Sequence, residues 1–290
     1  MSSEPSEPLH STAHRNNKDV IYWIPNIDKK ITPEVRQLLE QYAGIPWQDV
    51  LAHCYIIREK AWQIRSYPCT GMGAFFAPTL NLVSCYSEIL DRVKQGQRFM
   101  DIGAYVGTDL RKLVFDGALS DNLVAVDIVS HWNVGYDLFR DRDRFAARFL
   151  ENDILRPYPP LQALAGSVDI IWINKVVHQW SYETQLICCC NLVRLSSPRA
   201  GSLVVGMQAG TLIDDGREMP LTDGSVTANY FSHSTNTWAE MWVEVGRQTG
   251  TRWACEARMR EWDDVGLDAE ETRYLGEDSR MLEFVMRRLL

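Results

Sequence analysis

Short apolar runs alternate with amphipathic segments from about residue 97 to the carboxyl end of the chain. Apolar runs separated by helical segments are typical of a parallel sheet that helices cover on both faces. The predicted strands are residues 98–102, 123–127, 145–150, 168–173, 202–207, 252–259 and 281–289. The predicted helices lie near residues 107–117, 133–142, 181–195 and 235–249. Only a polar, acidic stretch joins the last two strands, so we expect them to pair antiparallel.

The amino-terminal third of the chain has a helical pattern instead. Residues 1–18 are rich in Ser, Glu, Pro and Asn, which is typical of a disordered tail. Helices are predicted over Thr32–Tyr42, Pro46–Arg65 and Thr79–Lys94. These helices predict a helical cap over residues 19–95. The fold prediction is therefore α/β, with a Rossmann-like, seven-stranded, mostly parallel sheet over residues 96–290 and an N-terminal helical cap.

Composition argues against several classes of function. A net charge of −8 and a pI near 5.3 disfavour a nucleic-acid partner, because phosphate binding relies on clustered Lys and Arg. No segment approaches the ~18 uninterrupted apolar residues of a membrane span, and residues 1–19 lack the apolar core of a signal peptide. The seven cysteines contain no CxxC pair, so we expect reduced thiols in a cytoplasmic protein.

The sequence FMDIGAYVG at residues 99–107 follows the first predicted strand and opens a helix. Gly103 lets the chain turn tightly and lets the backbone, including Ala104, approach a ligand, and Gly107 permits close packing where the helix begins. Gly103, Ala104 and Gly107 are all candidate cofactor-binding residues. Asp101 places a carboxylate at the strand end, where a cationic amino group or a hydroxyl can bind. Tight glycine turns occur in many α/β proteins, so this motif alone does not identify the ligand.

The next strands also end in polar residues. Asp127 ends the second strand, and an acid at this position of a Rossmann-type site accepts hydrogen bonds from ribose hydroxyls. Asp153 ends the third, where a carboxylate can accept from an adenine amino group while the Ile154 backbone reads the ring edge. Further candidates at this edge are Ile128, Asn152 and Asn174. Because the carboxyl ends of parallel strands meet at one sheet edge, these residues predict a nucleotide site.

S-adenosylmethionine and NAD are the two ligands to be separated. The dinucleotide fingerprint requires G-x-G-x-x-G, whereas this chain has D-x-G-x-x-x-G with the bulky Tyr105 inside the turn. An acid for adenine on the third strand and a final antiparallel pair of strands are features of class I methyltransferases. We therefore predict S-adenosylmethionine as the cofactor, and a nicotinamide-dependent oxidoreductase is the disfavoured alternative.

The chain also resembles the small-molecule methyltransferases of fungal secondary-metabolite clusters, of the meroterpenoid (austinol and andrastin) type. Its distinctive segments are DLRKLVFDGA at 109–118 and GYDLFRDRDRF at 135–145, and further matches are IREKAW at 57–62, YPC at 67–69, DIG at 101–103 and GSLVVG at 201–206. The resemblance implies O-methylation, often of a carboxylate on a polyketide-terpenoid intermediate. One departure is the turn itself, because relatives usually carry Cys-Cys-Phe-Gly where this chain has Ala104-Tyr105-Val106-Gly107.

The acceptor chemistry depends on whether a base is needed. A carboxylate acceptor, with a pKa of about 4, is already ionised near neutral pH, whereas a phenol, with a pKa of about 10, benefits from a base. His178 follows the fourth strand and is the candidate base, with a structural or substrate-shaping role as the alternative. Gln179 and Trp180 are expected to line the same wall. Tyr67 is expected to face the acceptor from the break after the second helix.

Other candidates for the acceptor site have plainer alternatives. Arg58 or Arg65 can clamp a carboxylate, but surface ion pairing is the favoured role for each of them. His233 lies in a predicted long loop after the fifth strand and is a candidate for substrate contact. Trp242 can contribute to an apolar lid or simply pack a helix. Asp214 and Asp215 lack the partner residues of a metal-dependent methyltransferase, so no metal is predicted.

Two classes of function follow from these residues. The favoured interpretation is an enzyme that transfers a methyl group from S-adenosylmethionine to a small-molecule acid or phenol, without nucleic acid or membrane partners. A methyltransferase-like regulatory protein without a small-molecule acceptor is the alternative, and the aromatic residues and the N-terminal cap disfavour it. A homodimer is expected only by analogy with related enzymes.

Overall fold

The computed structural model describes residues 16–223 and 226–289. Nine strands are present in this part of the chain. They are β1 (Phe99–Ile102), β2 (Leu123–Asp127), β3 (Arg148–Glu151), β4 (Ile170–Asn174), β5 (Leu203–Thr211), β6 (Arg217–Asp223), β7 (Val226–Ser232), β8 (Trp253–Arg260) and β9 (Ser279–Arg288). Seven of them form one sheet in the order β3-β2-β1-β4-β5-β9-β8, and β6 and β7 form a separate hairpin.

Ten α-helices accompany the strands in the described residues. They are α1 (Pro33–Gln37), α2 (Trp47–Ile64), α3 (Pro68–Gly71), α4 (Tyr86–Lys94), α5 (Thr108–Phe115), α6 (Trp132–Phe139), α7 (Pro159–Gln162), α8 (Tyr182–Leu195), α9 (Thr235–Thr249) and α10 (Ala269–Thr272). A π-helical turn, Leu38–Tyr42, continues α1. The predicted helix from Thr79 is shorter than expected, because a 3₁₀ turn at Leu80–Leu82 precedes α4.

The sheet confirms the predicted topology. The strands β1 to β5 pair in parallel, whereas β9 runs antiparallel to both β5 and β8. All side chains of β1, β2 and β5 are buried, which is the pattern of a sheet covered on both faces. One face packs on α8 and α9 through residues such as Ile171 and Trp238, and the other packs on α4 and α5 through residues such as Phe99 and Leu110.

Three expectations about the strands and loops need correction. The third strand begins at Arg148 rather than residue 145. The fifth strand continues to Thr211, and the predicted long loop after it contains the hairpin of β6 and β7. The acidic stretch 260–280 is not a simple loop, because α10 lies within it. The hairpin was missed because its first strand contains Pro220 and its residues do not alternate regularly between apolar and polar.

The N-terminal helices share a core with the sheet domain. A third apolar cluster joins side chains of α2, such as Ile57 and Ala61, to Val106 and to Leu138 of α6. Most of the predicted disordered tail lies outside the described residues. Its last part is attached to the cap, because the Asn16 amide donates to Ser66 Oγ at 3.1 Å and Lys18 pairs with Glu59 at 2.7 Å. None of the helices in the described chain has the length and apolarity needed to cross a bilayer.

Candidate active site

A cavity of about 710 Å³ opens at the carboxyl ends of β1, β2 and β4. Nine of the ten residues predicted to hold a cofactor line it: Asp101, Gly103, Ala104, Asp127, Ile128, Asn152, Asp153, Ile154 and Asn174. Residues of the N-terminal region, including Tyr67 and Phe75, line it as well. Parallel strands bring their carboxyl ends to one edge regardless of their separation in sequence, so the sheet itself assembles this wall.

Glycine is required in the turn after β1 by both backbone and packing. Gly103 has a φ of +78°, and a Cβ at this position would collide with Cγ2 of Val176, which lines the cavity too. The Gly103 and Ala104 amides donate to the Val126 carbonyl at 2.8 and 3.1 Å, which ties the turn to β2.

Gly107 does not line the cavity, contrary to the expectation for it. It precedes α5 with a φ of +72°, and a Cβ there would lie 2.7 Å from the Trp132 ring. Its role in this structure is the close packing of α5 on α6, as its position at the start of the helix predicts.

Tyr105 is unusual because it adopts the left-handed conformation, with a φ of +52°. This conformation aims its amide at the Asp127 carboxylate, to which it donates at 2.8 Å. Its hydroxyl lies 2.6 Å from Thr70 Oγ1 in the cap, and its ring contacts Phe75 edge-on. Tyr105 therefore connects the glycine turn to the N-terminal cap, a role that explains why a bulky residue is accommodated there.

Asp127 is held in place by the backbone. In addition to the Tyr105 amide at Oδ2, the Val129 amide donates to Oδ1 at 3.0 Å. Burial raises the pKa of Asp127 to about 6, although these amides oppose the shift by stabilising the charged form. The side chain is thus a fixed acceptor at the end of β2, with a protonation state that changes close to neutral pH.

Asp101 is buried and lacks a donor. Its side chain is 4% exposed, and no described residue donates a hydrogen bond to its carboxylate. Burial raises its pKa well above the usual range, and the neighbouring carboxylates of Asp109 and Asp127 raise it further. A buried carboxyl without a partner is complementary to a ligand that brings a positive charge or a hydrogen-bond donor.

Two amides in the wall have unpaired buried atoms. Asn174 Nδ2 donates to Thr79 Oγ1 at 2.7 Å, but its Oδ1 has no partner among the described residues. Asn152 Oδ1 accepts from the Tyr158 amide at 3.3 Å, and its Nδ2 is left without a partner in the same part of the chain. Asp153 Oδ1 accepts from the Leu155 amide at 2.8 Å. Polar atoms without partners in the residues of one cavity wall indicate a polar ligand.

Tyr67, Gln179 and Trp180 line the cavity as expected for the acceptor side. The structure adds residues for which no role was predicted, among them Cys69, Phe75, Thr79, Lys175, Thr184 and Asn229. Cys69 and Phe75 lie in the segment that appears in the sequence only as a break between helices. Asn229 belongs to the hairpin that the sequence pattern does not reveal. Lys175 directly follows the last residue of β4, so its position in the chain was the available signal.

His178 is not part of the cavity wall. Its Nδ1 accepts a hydrogen bond from the Ala209 amide at 2.9 Å, which orients the ring toward β5. Because an acceptor nitrogen carries no proton, this contact favours a neutral imidazole that joins two strand ends. The geometry supports the structural alternative for His178 over the catalytic one.

Arg58 also lies outside the wall, in the interior of the cap. Its guanidinium donates to the carbonyls of Ile24, at 2.6 Å, and of Gly71 and Pro25, and it stacks on the Trp23 ring. These contacts fasten residues 23–25 to α2. A clamp on a carboxylate would require all of them to break.

His233 and Trp242 are core residues rather than substrate contacts. His233 is fully buried, with Nδ1 3.1 Å from Thr237 Oγ1 and its ring against Phe231 and Trp238. Burial lowers its pKa to about 3, so it is neutral at physiological pH. Trp242 packs on Trp238 within the apolar core. Neither residue reaches the cavity.

The described residues contain no group of three or more His, Cys, Asp or Glu side chains arranged to hold a metal ion. The wall instead fits the parts of S-adenosylmethionine. Asp101 and the Asn174 oxygen are acceptors suited to the amino group of its methionine portion. Asp127 suits the ribose hydroxyls, and Asp153 with Ile154 suits the adenine edge. The fold and this edge define a class I S-adenosylmethionine-dependent methyltransferase.

Comparisons with known proteins identify the family. Residues 22–76 match the meroterpenoid methyltransferase N-terminal domain. O-methyltransferase atr3 of Stereocaulon alpinum is 36% identical over 274 residues, covering 93% of this chain and 78% of that protein. The asnovolin E/chermesin D methyltransferase nvfJ of Aspergillus novofumigatus is 33% identical over 225 residues, covering 77% and 80% respectively. The chain belongs to the fungal secondary-metabolite methyltransferases of the meroterpenoid type, as its sequence motifs indicate.

Solved structures agree on the fold. Phosphoethanolamine N-methyltransferase 2 of Haemonchus contortus superposes with a TM-score of 0.50 at 14% sequence identity, covering 89% of this chain and 60% of that one. At this identity the similarity concerns the fold alone. The sequence motifs, the residues of the cavity and the family to which the chain belongs agree on S-adenosylmethionine as the cofactor.

Proposed function

We propose that the enzyme transfers a methyl group from S-adenosylmethionine to a carboxylate oxygen of a largely apolar secondary metabolite, forming a methyl ester. The observation that carries this proposal is the absence of a histidine from the described cavity wall. The carboxyl group of an acid with a pKa of about 4 is ionised near neutral pH and needs no base, whereas a phenol benefits from one, most often a histidine. Relatives named O-methyltransferases support oxygen as the nucleophile.

We propose that the cofactor is held by the strand-end residues that line the cavity. Asp101, Gly103, Ala104 and Asn174 face the methionine portion, whereas Asp127, Ile128, Asn152, Asp153 and Ile154 face the adenosine portion. When bound, S-adenosylmethionine supplies an electrophilic methyl group. The chain then contributes orientation and exclusion of water, because in-line displacement depends mainly on the alignment of the reacting atoms.

The acceptor side of the cavity suits an apolar molecule. Tyr67 and Phe75 come from the cap, and Val176, Gln179 and Trp180 follow β4. Tyr67 contacts the Tyr105 ring edge-on, which continues the aromatic wall toward the glycine turn. Burial raises the pKa of Tyr67 beyond its ordinary value, so its hydroxyl stays protonated and able to donate. An aromatic wall with a few polar groups fits a polyketide or terpenoid skeleton.

The product distinguishes an ester from an ether. The protein is expressed in a host together with its neighbouring biosynthetic genes, and the methylated product is isolated and treated with mild aqueous base. A methyl ester is hydrolysed to the acid with loss of 14 mass units, whereas an aryl methyl ether survives. We expect hydrolysis, and full turnover in the His178→Ala variant, provided that this variant remains folded. An ether product, or loss of turnover in a folded His178→Ala enzyme, would contradict the proposal.

We also propose that the enzyme acts in the cytoplasm and that two copies associate. All seven cysteines are free thiols, and Cys188, Cys189 and Cys190 are buried in α8 where no disulfide partner is within reach. Reduced, buried thiols suit a reducing compartment. Sedimentation of the purified protein tests the dimer, and a monomer at micromolar concentration would contradict it.

A further inference from the structure

Lys175 turns the chain immediately after β4 and lines the cavity. Its φ of +56° is in the left-handed region, which non-glycine residues adopt with a strain of about 1 kcal/mol or more. The Lys175 amide donates to the Met207 carbonyl of β5 at 2.7 Å, which fixes the turn between the two strands. Such strained residues cluster at functional sites, where the surrounding structure holds them in place.

The Lys175 ammonium group has no counter-ion in the described chain. No carboxylate lies within ion-pairing distance of it, and its side chain makes no hydrogen bond. Burial lowers the pKa of Lys175, and the carboxylate of Asp109 opposes that shift. That carboxylate already accepts hydrogen bonds from other groups. Asp109 accepts from the Thr79 amide and hydroxyl, the Leu80 amide and the Trp172 indole at 2.6–3.1 Å. An unpaired cation in a partly apolar cavity needs an anion from a ligand.

The other cation of the wall is placed differently. Arg156 is exposed, and its amide bonds the Asp153 carbonyl at the side proposed for adenine. Lys175 instead directly follows β4, and its carbonyl accepts a hydrogen bond from Gln179 Nε2 at 3.2 Å. The proposed function places the acceptor on this side of the cavity, and the following inference rests on that function.

We propose that Lys175 binds the carboxylate of the acceptor and thereby selects acids over phenols and alcohols. The cofactor carries a positively charged sulfonium, so a neutral acceptor would leave two cations facing each other in one cavity. A carboxylate acceptor is attracted by both the sulfonium and the Lys175 ammonium. On transfer, the carboxylate oxygen forms the bond to the methyl carbon, and the C–S bond breaks with its electron pair remaining on sulfur. No proton moves, and the neutral ester loses its ion pair with Lys175, which favours product release.

The test measures carboxylate preference directly. The protein is saturated with S-adenosylhomocysteine, and calorimetry compares benzoate with benzamide and 2-naphthoate with 2-naphthamide. These pairs have the same shape but differ in charge. We expect the wild type to bind each carboxylate at least tenfold more tightly than its amide. Lys175→Met should reduce that ratio to within twofold, and Lys175→Arg should keep most of it.

Two further variants separate charge from folding. Lys60→Met removes the same charge from the exposed pair with Asp137, outside the cavity, and should leave the ratio unchanged. Lys175→Asn is a second charge-free variant, chosen because Asn tolerates the left-handed backbone. Affinity for S-adenosylhomocysteine within about threefold of wild type shows that the cofactor side is intact. With the natural acid, charge-free variants should raise KM more than they lower kcat.

Several results would overturn the inference. They are a wild-type complex without a carboxylate preference in either pair, a preserved preference in a folded charge-free variant, and the same loss in Lys60→Met. Failure of the proposed function gives a different pattern. If the product is an ether while the carboxylate preference still depends on Lys175, the reaction is reassigned but the anion site remains. If the product is an ester made by Lys175→Met with unchanged KM, the reaction stands and Lys175 is not its anchor.

Discussion

Three ionisable side chains of the cavity, those of Asp101, Asp127 and Lys175, are disfavoured in their charged forms in the unliganded protein. Burial raises the pKa of Asp101 and Asp127 and lowers that of Lys175, so every shift favours the neutral form. Such shifts are typical of sites that a ligand completes. Removing such a charged group is therefore expected to stabilise the unliganded protein and to weaken ligand binding.

Asp101→Asn is expected to stabilise the unliganded protein and to weaken cofactor binding. The substitution keeps the shape but removes a buried carboxyl group whose charged form no described residue compensates. Thermal unfolding should show a gain of about 1–2 kcal/mol, and calorimetry should show a loss of affinity of about 1–3 kcal/mol for S-adenosylmethionine. The prediction fails if the variant is less stable than wild type, or if its affinity is unchanged.

Asp127 gives the cofactor site a pH dependence. Its pKa is about 6 in the folded, unliganded protein, and only the ionised form accepts at both oxygens. Affinity for S-adenosylmethionine should therefore fall by up to about tenfold between pH 7 and pH 5. The same raised pKa means that the folded state binds this proton more tightly than the unfolded state, so this group favours folding as the pH falls through 6.

The control for this titration is the neutral isostere. In the Asp127→Asn variant, the affinity for S-adenosylmethionine should no longer change near pH 6. Asp127→Ala and Asp153→Ala should each weaken binding by about 1–3 kcal/mol, as expected when a buried partner is left unsatisfied. Calorimetry at several pH values measures all of these. Unchanged affinity in both alanine variants would contradict the proposed cofactor contacts.

At the scale of elements, the two most distinctive sequence segments meet in a buried ion pair. Arg111 of α5 and Asp141, after α6, have fully buried side chains and bond at 2.9 and 3.1 Å. Tyr42 of the cap donates to the same carboxylate at 2.8 Å, and Arg111 also donates to the Val106 carbonyl. The pair therefore joins the helix that follows the glycine turn to the next helix and to the cap.

Breaking this pair from one side is expected to be severe. Arg111→Met should destabilise the protein by about 3–5 kcal/mol, because Asp141 would keep a buried charge without its partner. The double variant Arg111→Met with Asp141→Leu should be more stable than Arg111→Met alone. Denaturant unfolding of both variants measures the difference. A double variant that is no more stable would show that packing around the guanidinium, rather than its charge, determines the effect.

The β6–β7 hairpin shows what element-level patterns do not reveal. The Phe231 amide donates to the Trp180 carbonyl at 3.0 Å, and Gln185 of α8 donates to the Phe231 carbonyl at 2.7 Å. Through these contacts a surface hairpin reaches the cavity wall. Its strands are recognised by their pairing with each other, whereas Pro220 within β6 argues against a strand in the local sequence.

At the scale of the whole molecule, the N-terminal cap and the sheet domain share their core. Ile57 and Ala61 of α2 pack in one cluster with Val106 and Leu138 of the sheet domain. The cap also supplies part of the cavity wall through Tyr67, Cys69 and Phe75. We propose, accordingly, that the predicted boundary near residue 95 separates two regions of sequence rather than two independent folding units.

The full-length protein is expected to unfold in a single transition. Circular dichroism and tryptophan fluorescence should give coincident curves, because Trp62 reports on the cap and Trp172 on the sheet. A fragment of residues 96–290 should bind S-adenosylmethionine at least tenfold more weakly than the full chain, since it lacks one wall of the cavity. Two separate transitions, or full affinity in the fragment, would contradict the shared core.

The sequence by itself determined the seven strands of the main sheet, the antiparallel last pair, and the strand-end residues that meet in the cavity. These follow from local periodicity and from the geometry of parallel sheets, which brings distant strand ends to one edge. Only the tertiary structure decided which nearby polar residues face that edge. Arg58, His178 and His233 are bound to carbonyls, amides or hydroxyls elsewhere, whereas Lys175 reaches the cavity through a left-handed turn that no composition signals. Side-chain direction depends on such contacts between elements, and the periodicity within one element cannot predict them.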